Sequence, residues 1–235
     1  MNIQPIEKYE RSADGTLDVH SIFYTIQGEG PFCGQPAIFI RLAGCNLQCP
    51  GCDTDYTDGR HRMGHNAILQ EVAEQCKDEY PSAPKPLIVV TGGEPFRQDI
   101  AAMCNALISE GHMVQIETNG TLPPSRNLHE NVAIVVSPKT GKINENIVAR
   151  ITALKYVVQS NAVLPRDGLP TRALLHPCSP SVAKPPADYK GPIYIQPMDE
   201  GNLSKNKRNL AEAMDSCMKN GYTLQVQMHK VIGVE

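Results

Sequence analysis

The sequence lacks several features that would place it in a specialised class of protein. It contains no apolar run near the roughly 18 residues needed to cross a membrane, and no apolar signal stretch follows the opening residues MNIQPIEKYERS. The formal net charge of −3 argues against electrostatic binding of nucleic acid. Internal repeats and low-complexity tracts are also missing. We therefore expect neither a membrane nor a nucleic-acid partner.

Cysteine is too sparse for a disulfide scaffold. Eight cysteines occur in 235 residues, well below the roughly 8–10% that is typical of disulfide-rich secreted chains. We expect reduced thiols in a cytoplasm. The length and the 41% apolar content suit a single domain over residues 1–235, with a candidate N-terminal arm over 1–19 and a proline-rich loop over 159–192.

Three of the cysteines stand close together in the segment CNLQCPGCDT. Cys45, Cys49 and Cys52 form a C-x3-C-x2-C run. Structural zinc normally takes four protein ligands, and an electron-transfer iron–sulfur cluster likewise draws all its ligands from protein. Three thiolates without a fourth nearby favour a 4Fe–4S cluster that leaves one iron open to a non-protein ligand. That open iron is where we expect chemistry to begin.

Two other interpretations of the three thiols stay open at this point. They could bind no metal, or they could form a zinc site with a distant fourth ligand, for which the candidates are Cys33, His61 and His65. The remaining cysteines read as ordinary buried or incidental thiols: Cys33, Cys76, Cys104, Cys178 and Cys217.

Short apolar stretches that predict β-strands recur along the chain. A β-rich stretch from residue 20 runs into QGEG at 27–30, and further strands are predicted over 37–42, 87–91, 113–117, 132–136, 154–158, 193–196 and 224–229. Helices are predicted over 66–80, 100–110 and 204–220. Polar or glycine-rich clusters repeatedly follow the strands. Because the carboxyl ends of parallel strands meet at one edge, the pattern predicts an α/β fold with one shared site.

Two features near the cysteines suit binding of a small ligand. Arg41 lies inside an apolar strand, where its planar guanidinium is either snorkelling or held for a bidentate contact with a carboxylate. In QGEG, Gly28 and Gly30 flank Glu29, so the backbone can approach a ligand closely. A simple hairpin turn is the alternative for that segment.

The cysteine run after the strand 37–42, with GGE at the end of the next predicted strand, resembles the radical S-adenosylmethionine (SAM) enzymes. Further motifs are YTIQGEG, CDT, TGGEP, ETNGT, SPK, QPM and QVQMHK, and the resemblance covers residues from about 21 to 230. As an ordered set they resemble, within that superfamily, the ring-contracting family of deazapurine biosynthesis. The resemblance implies a partial (β/α) barrel with mostly parallel strands and a reduced number of helices. One departure is Gly51, which stands where many radical SAM enzymes carry an aromatic residue.

The resemblance also implies an activity with its cofactors and partners. The chain would be a lyase that converts 6-carboxy-5,6,7,8-tetrahydropterin to 7-carboxy-7-deazaguanine with loss of ammonia, in queuosine-type 7-deazapurine biosynthesis. The cofactors would be a 4Fe–4S cluster, SAM and Mg²⁺. An external electron donor such as a flavodoxin and a homodimer are further expectations. The alternatives are a glycyl-radical-enzyme activase and a non-catalytic zinc-binding module.

Individual roles follow from the same resemblance, with no catalytic residue beyond the cofactor ligands. The cluster would be held by Cys45, Cys49 and Cys52, and Mg²⁺ by Thr54. SAM would contact Gly51, Cys52, Asp53, Gly93, Glu94, Ser137, Pro138, Lys139, Gln196, Pro197, Met198 and Asp199. The pterin would contact Ile26, Gln27, Gly28, Glu29, Arg41, Thr91 and His229.

Overall fold

The structure, a computed structural model, describes residues 2–10, 12, 14–79, 82–176 and 181–234. Its strands are β1 (Thr16–Ile26), β2 (Pro36–Leu42), β3 (His61–Gly64), β4 (Leu87–Gly92), β5 (Val114–Thr118), β6 (Ala133–Val136), β7 (Ile151–Val158), β8 (Ile193–Pro197) and β9 (Thr223–Leu224). Its α-helices are α1 (His65–Glu79), α2 (Ala101–Ser109), α3 (Glu145–Val148), α4 (Leu203–Asn220) and α5 (Met228–Ile232). Short 3-10 helices cover Gly30–Phe32 and Pro95–Arg97.

All of these strands belong to one sheet, in the order β3-β1-β2-β4-β5-β6-β7-β8-β9. β1 runs antiparallel to both β2 and β3. Every neighbouring pair from β2 through β4 to β9 is parallel. This arrangement confirms the predicted α/β class with mostly parallel strands, and it brings the carboxyl ends of the parallel strands to one edge.

The two faces of the sheet have different chemistry. In β7, Leu154, Tyr156 and Val158 belong to the main hydrophobic core, together with side chains of α1, α2 and α4. Lys155 and Val157 alternate with them and line a cavity on the opposite face. Successive side chains of a strand point to opposite faces, so a charged residue inside an apolar strand marks the side away from the helices.

Most predicted elements are present with small shifts at their ends. The predicted helix 204–220 is α4, which ends at Gly221 and is capped by Asn202, whose side chain accepts a hydrogen bond from the Lys205 amide at 3.1 Å. Tyr80, at the end of the predicted helix 66–80, and Cys178 lie outside the described residues. The short elements β3 and α3 were not predicted.

The prediction of a closing strand over 224–229 is wrong beyond its first residue. β9 ends at Leu224, and the chain turns into α5. The alternation of apolar and polar residues is real, but it is inverted: Leu224 and Val226 are 39% and 43% exposed. The buried Gln225 points inward, where its Oε1 accepts a hydrogen bond from the Gly30 amide at 2.6 Å. An alternating pattern does not say which face is buried, and here the inner face is polar.

The long connection between β7 and β8 contains no helix or strand in its described parts, 159–176 and 181–192. Two isolated bridges shape it, Val163 with Pro170 and Ala173 with His176. The main core extends along the chain from Leu17 to Cys217. Within the described residues, none of the helices has the length and apolar character that a membrane-crossing segment requires.

Candidate active site

A cavity of about 440 Å³ lies at the carboxyl ends of the parallel strands. It receives side chains from the segments that follow β2, β4, β5, β6 and β8, which is the edge where such folds assemble their sites. Of the residues predicted for the site, the cavity is lined by Ile26, Gln27, Glu29, Arg41, Cys45, Cys49, Gly51, Cys52, Asp53, Thr54, Thr91, Gly93, Ser137, Lys139, Gln196, Asp199 and His229.

Five predicted residues are not part of the cavity lining: Gly28, Glu94, Pro138, Pro197 and Met198. Glu94 is buried behind the cavity and accepts hydrogen bonds from the Thr118 hydroxyl at 2.6 Å and the Asn119 amide at 2.8 Å. Burial raises the pKa of Glu94, and these hydrogen bonds oppose that effect. Its side chain therefore joins the loop after β4 to the end of β5, and its predicted contact with SAM stays a prediction.

The three clustered cysteines reach the same cavity. Cys45 and Cys49 are buried and Cys52 is half-buried. Burial raises the pKa of the Cys45 thiol to about 12, so a metal must displace its proton to bind there.

The thiol positions differ from those of a closed single-ion site. In the described part of the chain, no three His, Cys, Asp or Glu side chains converge tightly enough to hold one metal ion. The thiolates of a 4Fe–4S cube bind different irons, so a cluster does not need that convergence. The candidate fourth ligands of a zinc site, Cys33, His61 and His65, are not part of the cavity lining.

The structure explains why Gly51 stands where an aromatic residue is common in radical SAM enzymes. A Cβ at this position would lie 2.7 Å from Met198 Cε and 3.2 Å from the Leu174 carbonyl oxygen. The Gly51 amide donates to that same oxygen at 2.9 Å. Leu174 and Leu175 both have left-handed φ angles, 48° and 58°. The connection between β7 and β8 thus packs against the cysteine loop, which is the connection between β2 and β3 over residues 43–60. It occupies the space that a larger side chain at Gly51 would need.

Three charged side chains, two of them buried and one half-buried, line the cavity together with the cysteines. Lys155 is 7% exposed and donates a hydrogen bond to Glu29, which is 9% exposed. The Lys155 Nζ also lies 3.9 Å from Glu117 Oε2. Gln27 donates to Glu117 Oε1 at 3.0 Å, and Gln196 donates to Glu29 Oε1 at 3.2 Å. The carboxylates keep hydrogen-bond partners although they are shielded from water.

Lys155 and Glu29 hold each other in the charged state. Burial alone would raise the pKa of Glu29, but the charge and hydrogen bond of Lys155 outweigh burial, so the pKa is lowered. Burial would likewise lower the pKa of Lys155, and the charges of Glu29 and Glu117 raise it instead. The pKa of nearby Lys139 is lowered, first by burial and then by repulsion from Lys155. The cavity wall is therefore charged at neutral pH.

The C-terminal segment closes one side of the cavity. Gln227 donates a hydrogen bond to Glu29 Oε1 at 2.9 Å. Lys230 Nζ lies 2.9 Å from Asp199 Oδ2 and 3.5 Å from Asp53 Oδ2. These contacts join α5 to the cysteine loop and to the segment after β8, two regions predicted to bind SAM.

Gly28 is excluded from the lining because α5 covers it. The Met228 amide donates to the Gly28 carbonyl at 3.2 Å. A Cβ on Gly28 would lie only 2.1 Å from His229 Nδ1. The absence of a side chain at Gly28 therefore lets His229 reach the cavity.

Sequence reasoning missed twelve residues of the lining: Phe39, Leu47, Gly92, Glu117, Thr118, Asn119, Lys155, Val157, Leu174, Gln227, Lys230 and Val234. Lys155 could have been predicted in the same way as Arg41, because both are charged residues within an apolar strand. Glu117 lies in the ETNGT motif, and Gln227 and Lys230 lie in QVQMHK. Leu174 had no signal, because its role depends on a contact with a distant part of the chain.

Comparison with known proteins identifies the class to which this fold and site belong. The model of the radical SAM superfamily matches residues 39–151, from β2 to the start of β7. The chain is a member of the radical SAM enzymes, and the predicted partial barrel is confirmed. For that class, a 4Fe–4S cluster and SAM are the cofactors.

Full-length relatives identify the family within that class. The 7-carboxy-7-deazaguanine synthase of Rhodospirillum rubrum is 39% identical over 225 residues, covering 93% of this chain and 93% of the relative. That of Rickettsia prowazekii is 39% identical over 230 residues, covering 95% and 92%. The chain belongs to the 7-carboxy-7-deazaguanine synthase family. The crystal structure of QueE from Escherichia coli shares the fold, with a TM-score of 0.66 at 22% identity over 90% of this chain and 94% of that one.

Replacement of Lys155 by Met tests the buried charges. In the wild type the pKa of Glu29 lies below its ordinary value of 4.5, so the stabilisation is present above that pH and is lost only as the pH falls through the lowered pKa. Without Lys155, burial raises the pKa of Glu29 instead. We expect Lys155→Met to lower the free energy of unfolding by about 3–5 kcal/mol near neutral pH, because a buried charge loses its partner.

Urea unfolding at several pH values between about 5 and 7.5 measures this effect, and the loss should shrink toward the acidic end. Lys142→Met is the matched control, because Lys142 is exposed. A loss in Lys155→Met that matches the control, or that grows on acidification, would contradict the assignment of charges.

Replacement of Gly28 by Ala tests the covering of the cavity by α5. The added Cβ overlaps His229, so the C-terminal segment has to move. We expect amide hydrogen exchange over residues 228–234 to become about ten-fold faster, because overpacking costs about 1–3 kcal/mol. Gly64→Ala is the control, since an added Cβ there has no atom within 4 Å. Equal exchange in both variants would refute the contact.

Proposed function

We propose that this chain converts 6-carboxy-5,6,7,8-tetrahydropterin to 7-carboxy-7-deazaguanine with loss of ammonia. The observation that carries the proposal is that three cysteines, a guanidinium and two carboxyl groups line one cavity: Cys45, Cys49, Cys52, Arg41, Glu29 and Glu117. Family membership supplies the reaction, and the cavity supplies a place where cofactor and substrate would meet. Queuosine-type deazapurine biosynthesis is the context that the family resemblance suggests.

The donor set fits a cluster with one open iron and a bound SAM. Cys45, Cys49 and Cys52 would hold the cluster, since all three line the cavity and the candidate fourth ligands Cys33, His61 and His65 do not. Gln196 donates its amide to Glu29, while its Oε1 is buried without a hydrogen-bond partner among the described residues. That acceptor is suited to an amino group of a ligand. When bound, cluster and SAM supply a carbon radical that takes a hydrogen from the substrate.

The remaining SAM contacts fall to segments at the carboxyl ends of the strands. Their members would be Gly51, Cys52, Asp53, Gly93, Ser137, Lys139, Gln196 and Asp199, with Glu94, Pro138, Pro197 and Met198 supporting them from behind the lining. Together these segments orient the reacting carbon toward the substrate and keep water away from it.

Arg41 would bind the carboxylate of the substrate. Its guanidinium lies 5.2 Å from the centroid of Phe23, whose ring stacks on Phe39. A guanidinium fixed against an aromatic ring presents a planar fork that matches a carboxylate. Ile26, Gln27, Thr91 and His229 complete this set of proposed substrate contacts, with Gly28 supporting His229.

Glu29 and Glu117 would accept hydrogen bonds from the ring. A pterin has an edge of N–H groups, for which ionised carboxylates are strong acceptors. Lys155 lies beside both side chains; burial would raise the pKa of Glu29, but the charge of Lys155 helps to lower it. Arg41 and these carboxylates therefore match opposite chemical features of one small molecule.

Mg²⁺ would bind at Thr54, a residue of the cysteine loop that lines the cavity. One protein oxygen suffices, because Mg²⁺ keeps several waters and is completed by oxygens of the substrate. Three further proposals come chiefly from family resemblance. Residues 1–235 would act as one domain, consistent with the core from Leu17 to Cys217. The enzyme would be a homodimer. A flavodoxin-type donor would deliver the electron.

An anaerobic assay tests the reaction. The chain is reconstituted with iron and sulfide, reduced with dithionite and supplied with SAM, Mg²⁺ and 6-carboxytetrahydropterin, and the products are measured by mass spectrometry. We expect 7-carboxy-7-deazaguanine from the wild type and none from Cys49→Ala, because two remaining thiolates hold a cluster poorly. Formation of 5′-deoxyadenosine without that product would contradict the substrate assignment and favour a glycyl-radical-enzyme activase.

Replacement of Arg41 by Ala tests recognition of the substrate carboxylate. We expect substrate affinity to fall by about 1.5–3 kcal/mol, because a charge-assisted contact is lost. The visible absorbance of the reconstituted cluster should be unchanged. Calorimetric titration with the pterin measures the affinity, and Arg126→Ala is the control at an exposed arginine. Unchanged affinity in Arg41→Ala would remove Arg41 from the substrate contacts.

A further inference from the structure

The N-terminal segment, residues 2–10, lies along the outside of the cysteine loop, although it contains no helix or strand. Backbone hydrogen bonds connect the two: the Asn2 amide donates to the Pro50 carbonyl at 3.1 Å, and the Glu7 amide donates to the Cys45 carbonyl at 2.7 Å. Ile6 forms an isolated parallel bridge with Cys45. The segment therefore contacts the loop at two places. One is Cys45, the first of the three cysteines, and the other is Pro50, which lies between Cys49 and Cys52.

Side chains of the segment add contacts to the same loop. Asn2 Nδ2 donates to the Cys49 carbonyl at 3.2 Å. Gln4 Nε2 donates to the Thr54 carbonyl at 2.9 Å, and Gln4 Oε1 accepts from the Tyr56 amide at 2.7 Å. The side-chain amide of Gln4 thus binds two backbone groups in the stretch that follows Cys52, the Thr54 carbonyl and the Tyr56 amide.

The far half of the segment is fixed to the loop after β4. Arg97, which is 1% exposed, lies 3.4 Å from Glu7 Oε2 and 3.5 Å from Glu10 Oε2. The Glu10 amide donates to the Arg97 carbonyl at 2.9 Å. Arg97 follows directly on the Gly93 and Glu94 segment, so the N-terminal segment links the two loops that flank the cavity.

We infer that residues 2–10 form a clamp that holds the cysteine loop in its cluster-binding shape, with Gln4 as the main positioning residue. The inference rests on the cluster-binding part of the proposed function, and it concerns how long the cluster is retained. Hydrogen bonds around cluster ligands and exclusion of solvent are known determinants of cluster potential and of ligand orientation. Gln4 acts through the backbone of residues 54–56 and contacts no thiol directly.

Two substitutions separate the donor and acceptor halves of Gln4. Gln4→Ala removes the two contacts with the loop backbone, together with the hydrogen bonds of Gln4 to Asn2 Oδ1 and to the Thr57 hydroxyl. Gln4→Glu can still accept from the Tyr56 amide but cannot donate to the Thr54 carbonyl. Gln70→Ala is the matched control, because Gln70 is an exposed glutamine on α1 whose side chain donates to its helix neighbour Glu74. Asn2→Ala repeats the test on the cysteine side of the clamp, should Gln4→Ala fail to fold by circular dichroism.

The experiment measures iron and acid-labile sulfide per chain after reconstitution, and then the loss of visible absorbance when an iron chelator is added. We expect Gln4→Ala to lose its cluster about five-fold faster than the wild type, a factor that corresponds to the net effect of one or two lost hydrogen bonds. The rate of cluster loss in Gln4→Glu should lie between the rates of the wild type and of Gln4→Ala. The midpoint potential should rise in Gln4→Ala, because greater solvent access favours the more negatively charged reduced cluster.

The outcomes distinguish this inference from the proposed function. A wild-type chain that binds no cluster would overturn the proposed function itself. A wild-type chain that binds a cluster, together with Gln4→Ala or Asn2→Ala variants that release it at the wild-type rate and potential, would overturn the clamp alone. Faster loss in these variants with an unchanged Gln70→Ala supports it.

Discussion

The alternation of side chains along parallel strands is the constraint on which the site depends. β7 places Leu154, Tyr156 and Val158 against the helices, and the same geometry sends Lys155 to the other face. The strands β2, β4, β5, β7 and β8 each supply both a part of the core and a part of the cavity. Moving any of these strands by one residue would expose apolar side chains and bury the charged ones, so the register that forms the core also fixes the site.

Burial of several charges is tolerated because they are arranged in compensating sets. Lys155 lies between Glu29 and Glu117, and glutamine side chains satisfy the remaining oxygens. A buried ion pair contributes little net stability in general, but removal of one partner is costly. The arrangement keeps hydrogen-bond acceptors at the cavity wall, and the charge of Lys155 helps to lower the pKa of Glu29 against the effect of burial. Rigid, charged walls of this kind suit an enzyme that has to hold a reactive intermediate away from solvent.

The sequence was sufficient to predict the parallel sheet and to predict that the cysteine loop and Arg41 lie at the site, since each has a local signature in period or spacing. It was insufficient where the decisive contact is distant. Leu174 reaches the cavity only because its loop packs on Gly51, and nothing in its neighbourhood predicts that. The segment 224–229 failed for a different reason: its alternation is genuine, but Gln225 and Gln227 face inward because the site beneath them is polar. The alternation of apolar and polar residues shows that a segment has two different faces, and the surrounding structure decides which of these faces is buried.

The contact between Gly51 and Leu174 bears on the order in which the protein is made. The cysteine loop is synthesised early, yet one of its supports belongs to the connection after β7, more than a hundred residues later in the chain. Contacts of such high sequence separation form late, because a long loop must be closed before they stabilise anything. The cysteine loop therefore lacks this support until the connection after β7 has been synthesised and has packed against it.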